Sequence, residues 1–129
     1  MSDPGFFTYL QTVMQVTALV ASRIYPNRAP QEAQRPFVVW TRVGVDRQQL
    51  YCGQSALIKG AYQFDCYGVS ATQADQVHRA LKNAMQDYAG LMGAVEVRHC
   101  HLTTDFVSAD EDPLIHRVTQ LWDIWHVET

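Results

Sequence analysis

Apolar and polar residues alternate over residues 58–67, and the pattern then changes to helical spacing. The alternating part predicts a strand with one apolar face, formed by Tyr62, Phe64 and Cys66. Ser70 offers a helix cap, and after it apolar residues recur every three or four positions. We therefore expect a strand at about 58–67 that leads directly into an amphipathic helix at about 71–89.

The first third of the chain predicts one helix and one strand. Asp3-Pro4 suits a helix start, and the apolar stripe after it predicts a helix at about 4–22. Prolines then predict a loop over residues 26–36. A β-branched and aromatic run over residues 37–43 predicts a strand.

The middle and the end of the chain add a weak hairpin and two strands. Residues 44–57, named the arm below, are rich in glycine and polar residues at their ends, and we expect a mobile hairpin there. Alternation predicts strands at about 95–104 and 114–127. An acidic loop, residues 108–113, separates them.

This order of elements predicts an α+β fold and a single domain over residues 1–129. The sheet is expected to have four or five strands, mostly antiparallel, with two helices on one face. The other face must then be wet or covered by a partner.

Composition narrows the function classes. A net charge of -3 and the lack of any Lys/Arg cluster argue against a protein that grips nucleic acid. No signal peptide and no run of about 20 apolar residues is evident, so neither secretion nor a membrane partner is expected. The three cysteines, Cys52, Cys66 and Cys100, lack metal or disulfide spacing and are expected to be reduced thiols.

The strongest chemical motif is His99-Cys100-His101. In a strand the two histidines share one face, and two imidazoles can bind zinc if further ligands come close. The alternative is a polar outer face with a buried cysteine behind it. No nucleophile signature and no phosphate loop is present, so we expect no catalytic residue, no cofactor and no metal.

Two tryptophans close the chain. Trp122 and Trp125 are three residues apart in a predicted strand and must face opposite sides of the sheet. One is expected in the core. The other is either an exposed aromatic at the margin or part of a subunit interface, where aromatics are enriched.

Several landmarks in order resemble one family. They are a helix ending in Arg23-Ile24-Tyr25-Pro26, the strand start Arg35-Pro36-Phe37-Val38-Val39-Trp40, the strand Tyr62-Gln63-Phe64-Asp65-Cys66-Tyr67-Gly68 with its following helix, and Leu121-Trp122-Asp123-Ile124-Trp125. Over nearly the whole chain this resembles the tail completion proteins of long-tailed bacteriophages, which include tail-to-head joining and tail terminator proteins.

The resemblance implies a structural virion protein rather than an enzyme. Such subunits form a ring, commonly of six copies, at the head-proximal end of the tail, where the ring ends tube growth and contacts the head. The implied partners are the protein itself, the tail-tube protein and the head connector, with DNA only passing through the lumen. The implied location is the virion, with host cytoplasm before assembly.

The expected assembly surface combines the arm, the acidic loop and the second tryptophan. Its candidate residues are Asp46, Arg47, Gln49, Tyr51, Asp110, Glu111, Asp112 and Trp125. Two other interpretations stay open: a binding module with a small-ligand pocket on the sheet face, and a metal-binding module built on the histidines.

Overall fold

Nine regular elements follow one another in the computed structural model, which describes residues 3–52, 55–108 and 115–128. For residues 46–52, 55–56, 108 and 128 we describe the backbone alone. The helices are α1 (Phe6–Leu10), α2 (Met14–Val20) and α3 (Ala71–Met85). The strands are β1 (Ile24–Pro26), β2 (Phe37–Cys52), β3 (Ser55–Gly68), β4 (Gly90–Met92), β5 (Val95–Ser108) and β6 (His116–Glu128).

The strands form one mixed sheet in the order β1-β2-β3-β6-β5-β4. The β1–β2 pair is parallel, and the other four pairs are antiparallel. The α+β prediction is confirmed, but the described sheet has six strands rather than four or five. The additional strands, β1 and β4, have three residues each, too few for a periodic pattern to reveal them.

All three helices contribute to a core on one face of the sheet, which we name the inner face. Along β3 and β6 the even-numbered residues point into this core, and the odd-numbered residues form the opposite, outer face. Fully buried large side chains of the core include Phe6, Leu10, Tyr62, Phe64, Leu81, Met85, Trp122 and Ile124. The prediction of one helix-covered face is therefore confirmed, with three helices instead of two.

The predicted helix at 4–22 is wrong in detail, because it is two helices. The Thr12 hydroxyl donates to the main-chain oxygen of Tyr9 (2.6 Å), and Val13 adopts an extended conformation with φ -99° and ψ 108°. Such a hydroxyl competes with the helical ladder, and α1 ends before it. Asp3 does not cap α1; instead its carboxylate accepts a hydrogen bond from the buried Tyr62 hydroxyl (2.9 Å) and pairs with Arg42 (3.3 Å).

The β3–α3 unit follows the prediction at its start and departs from it at its end. The Ser70 hydroxyl accepts from the Gln73 amide (3.1 Å), while the Gln73 side chain accepts from the Val69 amide (2.8 Å). The helix ends at Met85 rather than residue 89, because Asp87 takes φ +62° and its amide donates to the Cys100 oxygen (3.0 Å). Gly90, just beyond, is the first residue of β4.

The arm extends β2 and β3 as one hairpin. Leu50 pairs with Leu57, and Cys52 pairs with Ser55, after register shifts between Arg42 and Gly44 and between Asp46 and Leu50. The predicted strand at 37–43 therefore continues to Cys52. A hairpin in the arm is confirmed, and its mobility stays a prediction.

Candidate assembly surface

One candidate residue of the arm, Asp46, is level in the sheet with the candidate residue of β6, Trp125. Asp46 pairs with Lys59, Lys59 with Trp125, and Trp125 with His99. The sequence pattern named Asp46 and Trp125 as candidates but could not show that they lie level with each other in the sheet. The sheet thus gathers an acidic, a basic, an aromatic and an imidazole residue along one line.

Arg47, Gln49 and Tyr51 lie farther along β2, between that row and the end of the strand, where we describe the backbone alone. The acidic candidates Asp110, Glu111 and Asp112 lie outside the described residues. The role of all eight candidates in assembly stays a prediction.

Trp125 lies half-buried at the centre of the row. The Lys59 ammonium lies 5.7 Å from the centre of its ring, and the ring of His99 lies 5.6 Å from it on the neighbouring strand. Trp122, by contrast, is 1% exposed and lies on the inner face. The expectation that the two tryptophans face opposite sides is confirmed, and the use of Trp125 in an interface stays a prediction.

The two histidines of the motif share the outer face as predicted. The rings of His99 and His101 stack with centres 6.4 Å apart, and Cys100 between them is fully buried on the inner face. Within the described ranges no three His, Cys, Asp or Glu residues come together as a metal site would require. A carboxylate oxygen of Asp87 lies 3.8 Å from Nε2 of His99.

A third histidine, His78, is buried, and both of its ring nitrogens have partners. The Gln120 amide nitrogen donates to His78 Nδ1 (2.6 Å), and its oxygen accepts from the indole nitrogen of Trp122 (2.8 Å). Since Nδ1 accepts, the ring proton is at Nε2, which donates to Asp105 (2.9 Å). Both ring nitrogens of His78 are thus engaged in packing α3 on the sheet, and neither is available as a base or ligand.

The described thiols are core residues. Cys66 and Cys100 are both 0% exposed and unpaired with each other. Burial raises the pKa of Cys100 to about 12 and raises that of Cys66 as well, with Asp65 adding to the shift. Neither thiol has the lowered pKa of a nucleophile.

We expect these two thiols to resist modification in the folded protein. At pH 8 a thiol reagent should label Cys66 and Cys100 only when denaturant is added, because both are buried and protonated. A thiol titration in a Cys52→Ser variant, with and without denaturant, measures this directly. Rapid labelling of either thiol without denaturant would contradict the packing.

An open cavity of about 480 Å³ lies at the other end of the outer face. The loop before β2 contributes Arg28 and Arg35, and the sheet contributes Asp65, Tyr67 and Arg117. Asp65 is buried and accepts from the hydroxyl of Thr119 (2.7 Å). The cavity is open and its lining is largely polar, unlike the enclosed apolar pocket that the small-ligand interpretation requires.

Comparisons with known proteins now identify the family. A family model described as "Tail completion protein gp17" matches residues 6–126. The chain belongs to this family. The protein is thus a structural component of a phage tail and of the virion, and it associates with other phage structural proteins.

A solved structure has the same fold. It is a chain described as "Virion of native gene transfer agent (GTA) particle", with a TM-score of 0.69 and 10% identity, and the match covers 96% of each chain. At that identity the likeness shows the fold alone. A comparison with curated proteins finds no match to this sequence.

Sequence reasoning missed the surroundings of the outer face. Nothing in the periodicity indicated that Asp65 is buried or that the loop with Arg28 and Arg35 forms a cavity wall. The alternation of β3 did place Asp65 on the face away from the helices. The path of the loop could not be predicted, because a loop has no hydrophobic periodicity.

Proposed function

We propose that this protein forms a ring of six copies at the head-proximal end of a phage tail, where it ends tail-tube growth and joins the tail to the head. The family match over residues 6–126 carries this proposal. The partners are further copies of the chain, the tail-tube protein and the head connector. Assembly takes place in the host cytoplasm, and the finished ring lies at the head–tail interface.

The outer face supports a binding role. None of the three described helices covers it, and it presents Trp125 between Lys59 and His99. A large aromatic side chain that is partly packed and partly exposed loses little entropy on binding, which makes it a suitable interface anchor. In a ring the contact between neighbouring copies is heterologous, because closure by rotation joins two different surfaces of the chain.

The net charge of the chain supports a ring through which DNA passes without being bound. A net charge of -3 does not favour binding to phosphates, so DNA can pass through the lumen without being held. No cofactor is part of this function, and no step of it is chemical. No helix in the described ranges is long and apolar enough to cross a membrane.

Electron microscopy of growing tail tubes mixed with this protein tests the proposal. We expect added density at one tube end, six-fold symmetry in that density and tubes that stop growing. Tubes that stay bare and continue to grow would overturn the terminator role. If the protein also fails to bind head connectors, the joining role is overturned as well.

A shortened arm tests which surface is used. Replacing residues 51–56 with Asn-Gly closes a two-residue hairpin at the existing Leu50–Leu57 pair. We expect the monomer to keep its melting temperature and the variant to lose tube-end binding at least tenfold. The matched control is Val69→Ser, which changes an exposed residue (62%) outside the arm; normal binding by the shortened variant would exclude the arm tip from the interface.

A further inference from the structure

Among the described residues, each long edge of the sheet is paired with a short strand at one end only. On β2, strand β1 pairs with Val38–Trp40, and in the part of the chain that the structure describes no strand covers residues 41–52 on that side. On β5, strand β4 pairs with Val95–Val97, and no described strand covers residues 103–108. An uncovered edge is a template for pairing with another strand.

The two uncovered segments lie at opposite ends of the sheet. Thr41 is level with Thr104, through the pairs that each makes with Gln63 and Leu121 on the central strands. From this row the uncovered part of β2 runs toward the arm, and that of β5 runs the opposite way. Pairing of the two edges between neighbouring copies therefore requires a stagger.

The backbone groups that point outward from β2 can be identified. The Val38 amide donates to Arg23 (3.0 Å), and the Trp40 oxygen accepts from Asn27 (2.7 Å), so both face the edge. Alternation makes Arg42 the next residue whose backbone groups point outward. The bulge between Arg42 and Gly44 shifts the alternation by one residue, so the following outward residue is Val45.

The same reasoning applies to β5. The Leu102 amide donates outward to the side chain of Gln86 (3.1 Å), and the Cys100 oxygen accepts from Asp87. Across the bulge between Leu102 and Thr104, the next outward residues are Asp105 and Val107.

Large apolar side chains accompany both uncovered edges. Val43 on β2 is 60% exposed, and Phe106 and Val107 on β5 are 49% and 78% exposed. These are three of the seven large hydrophobic residues exposed in the described ranges. Exposed apolar groups next to unpaired strand edges are typical of a surface that a partner covers.

Strand directions favour a second copy as that partner. Four long strands, β2-β3-β6-β5, alternate in direction, so β5 runs antiparallel to β2. When copies repeat side by side about an axis along the strands, the β5 edge of one copy meets the β2 edge of the next in antiparallel orientation. That is the more stable way to pair strands.

We propose that the uncovered edge of β5 in each copy pairs with the uncovered edge of β2 in the next, so that the sheet continues from copy to copy around the ring. The register sets Val107 opposite Arg42 of the neighbour. This inference rests on the proposed ring and specifies its contact. The short strands β1 and β4 end the paired stretch and so restrict the register.

The required stagger is compatible with a closed sheet. Val107 is level with Val38 in its own copy, so pairing with Arg42 of the neighbour shifts the strands by four residues. Four residues span about 13 Å along a strand, and four strands span about 19 Å across it. The ratio corresponds to a strand tilt of about 35°, within the range of closed sheets.

The bulges beside the two segments fit the same arrangement. Bulges can protect an edge from pairing, but they also bend a strand and increase its twist. Each bulge here is followed by regular pairing, at Thr104–Ser108 and at Gly44–Asp46. A sheet that continues around a ring needs such curvature.

Disulfide trapping tests the register. In the proposed register, Phe106 of one copy and Val43 of the next form a non-hydrogen-bonded pair. Their Cα atoms are then about 4.5 Å apart, which is within disulfide range. The variants are Val43→Cys, Phe106→Cys and the double variant, each with Cys52→Ser; Cys66 and Cys100 stay, because both are buried. They are oxidised mildly on tail tubes, with Val69→Cys/Leu91→Cys as the control for exposed residues outside both segments.

The expected result is a ladder of linked species, up to the closed ring, for the double variant. An equal mixture of the two single-cysteine proteins should give dimers and nothing larger. Rings on tubes without any linkage would overturn the edge pairing and leave the proposed function standing. Linkage between two copies of the same single-cysteine protein would mean a symmetric dimer and would also overturn the edge pairing. The absence of rings would overturn both the edge pairing and the proposed function.

Discussion

Replacement of Trp122 with alanine is expected to lower the free energy of unfolding by about 3–5 kcal/mol. The side chain is 1% exposed and fills the inner face between the helices and β6. Its removal leaves a cavity, and it also leaves the side-chain oxygen of Gln120 without the indole donor at 2.8 Å. Because a domain of this size is stable by only about 5–15 kcal/mol, this loss removes a large share of its stability.

The matched control is Trp125→Ala in the same strand. This side chain lies on the outer face and contacts Lys59 and His99, so its loss should cost about 1 kcal/mol. Urea denaturation followed by circular dichroism measures both variants. Equal losses would mean that the outer face is packed as tightly as the inner one, contrary to the structure.

A methyl group at Gly68 is expected to destabilise the fold by about 3 kcal/mol. A Cβ there would lie 2.5 Å from the Ala74 amide nitrogen and 3.0 Å from its Cα. These are backbone atoms in the first turn of α3, so the whole helix must move to relieve the collision. Gly68→Ala therefore separates β3 from the helix that covers it.

Gly44→Ala is the control for this substitution. A Cβ at Gly44 meets nothing within 4 Å, although the residue lies in the neighbouring strand. Its stability should be unchanged or slightly raised, since alanine restricts the unfolded chain more than glycine does. Thermal unfolding of the two variants checks the pair, and a stable Gly68→Ala protein would contradict the close approach of β3 and α3.

Part of the candidate surface could be predicted because side-chain direction in a strand is local. Trp122 and Trp125 face opposite sides for any strand that contains both, and the same holds for His99 and Cys100. Their roles do not follow from direction. The use of Trp125 in assembly therefore stays a prediction, although its position on the outer face is confirmed.

The predicted ends of the helices were wrong because tertiary contacts, rather than the local pattern, determine them. The apolar stripe runs through Thr12 and Val13 without a break, and only the hydrogen bonds of the folded chain divide α1 from α2. In the same way, Gln86 and Asp87 leave α3 to bond with β5, which lies beside them only after folding. Periodicity indicates where a helix can form, and tertiary contacts decide where it ends.

The sequence by itself determined the alternation of the long strands, the strand–helix unit from β3 to α3, and which side chains share a face. Each of these depends on spacings of two to four residues, which the chain carries locally. Only the tertiary structure decided the strand order, the short strands β1 and β4, and the parts of β2 and β5 that no described strand covers. Those features depend on contacts between residues far apart in the chain, and no local period records them.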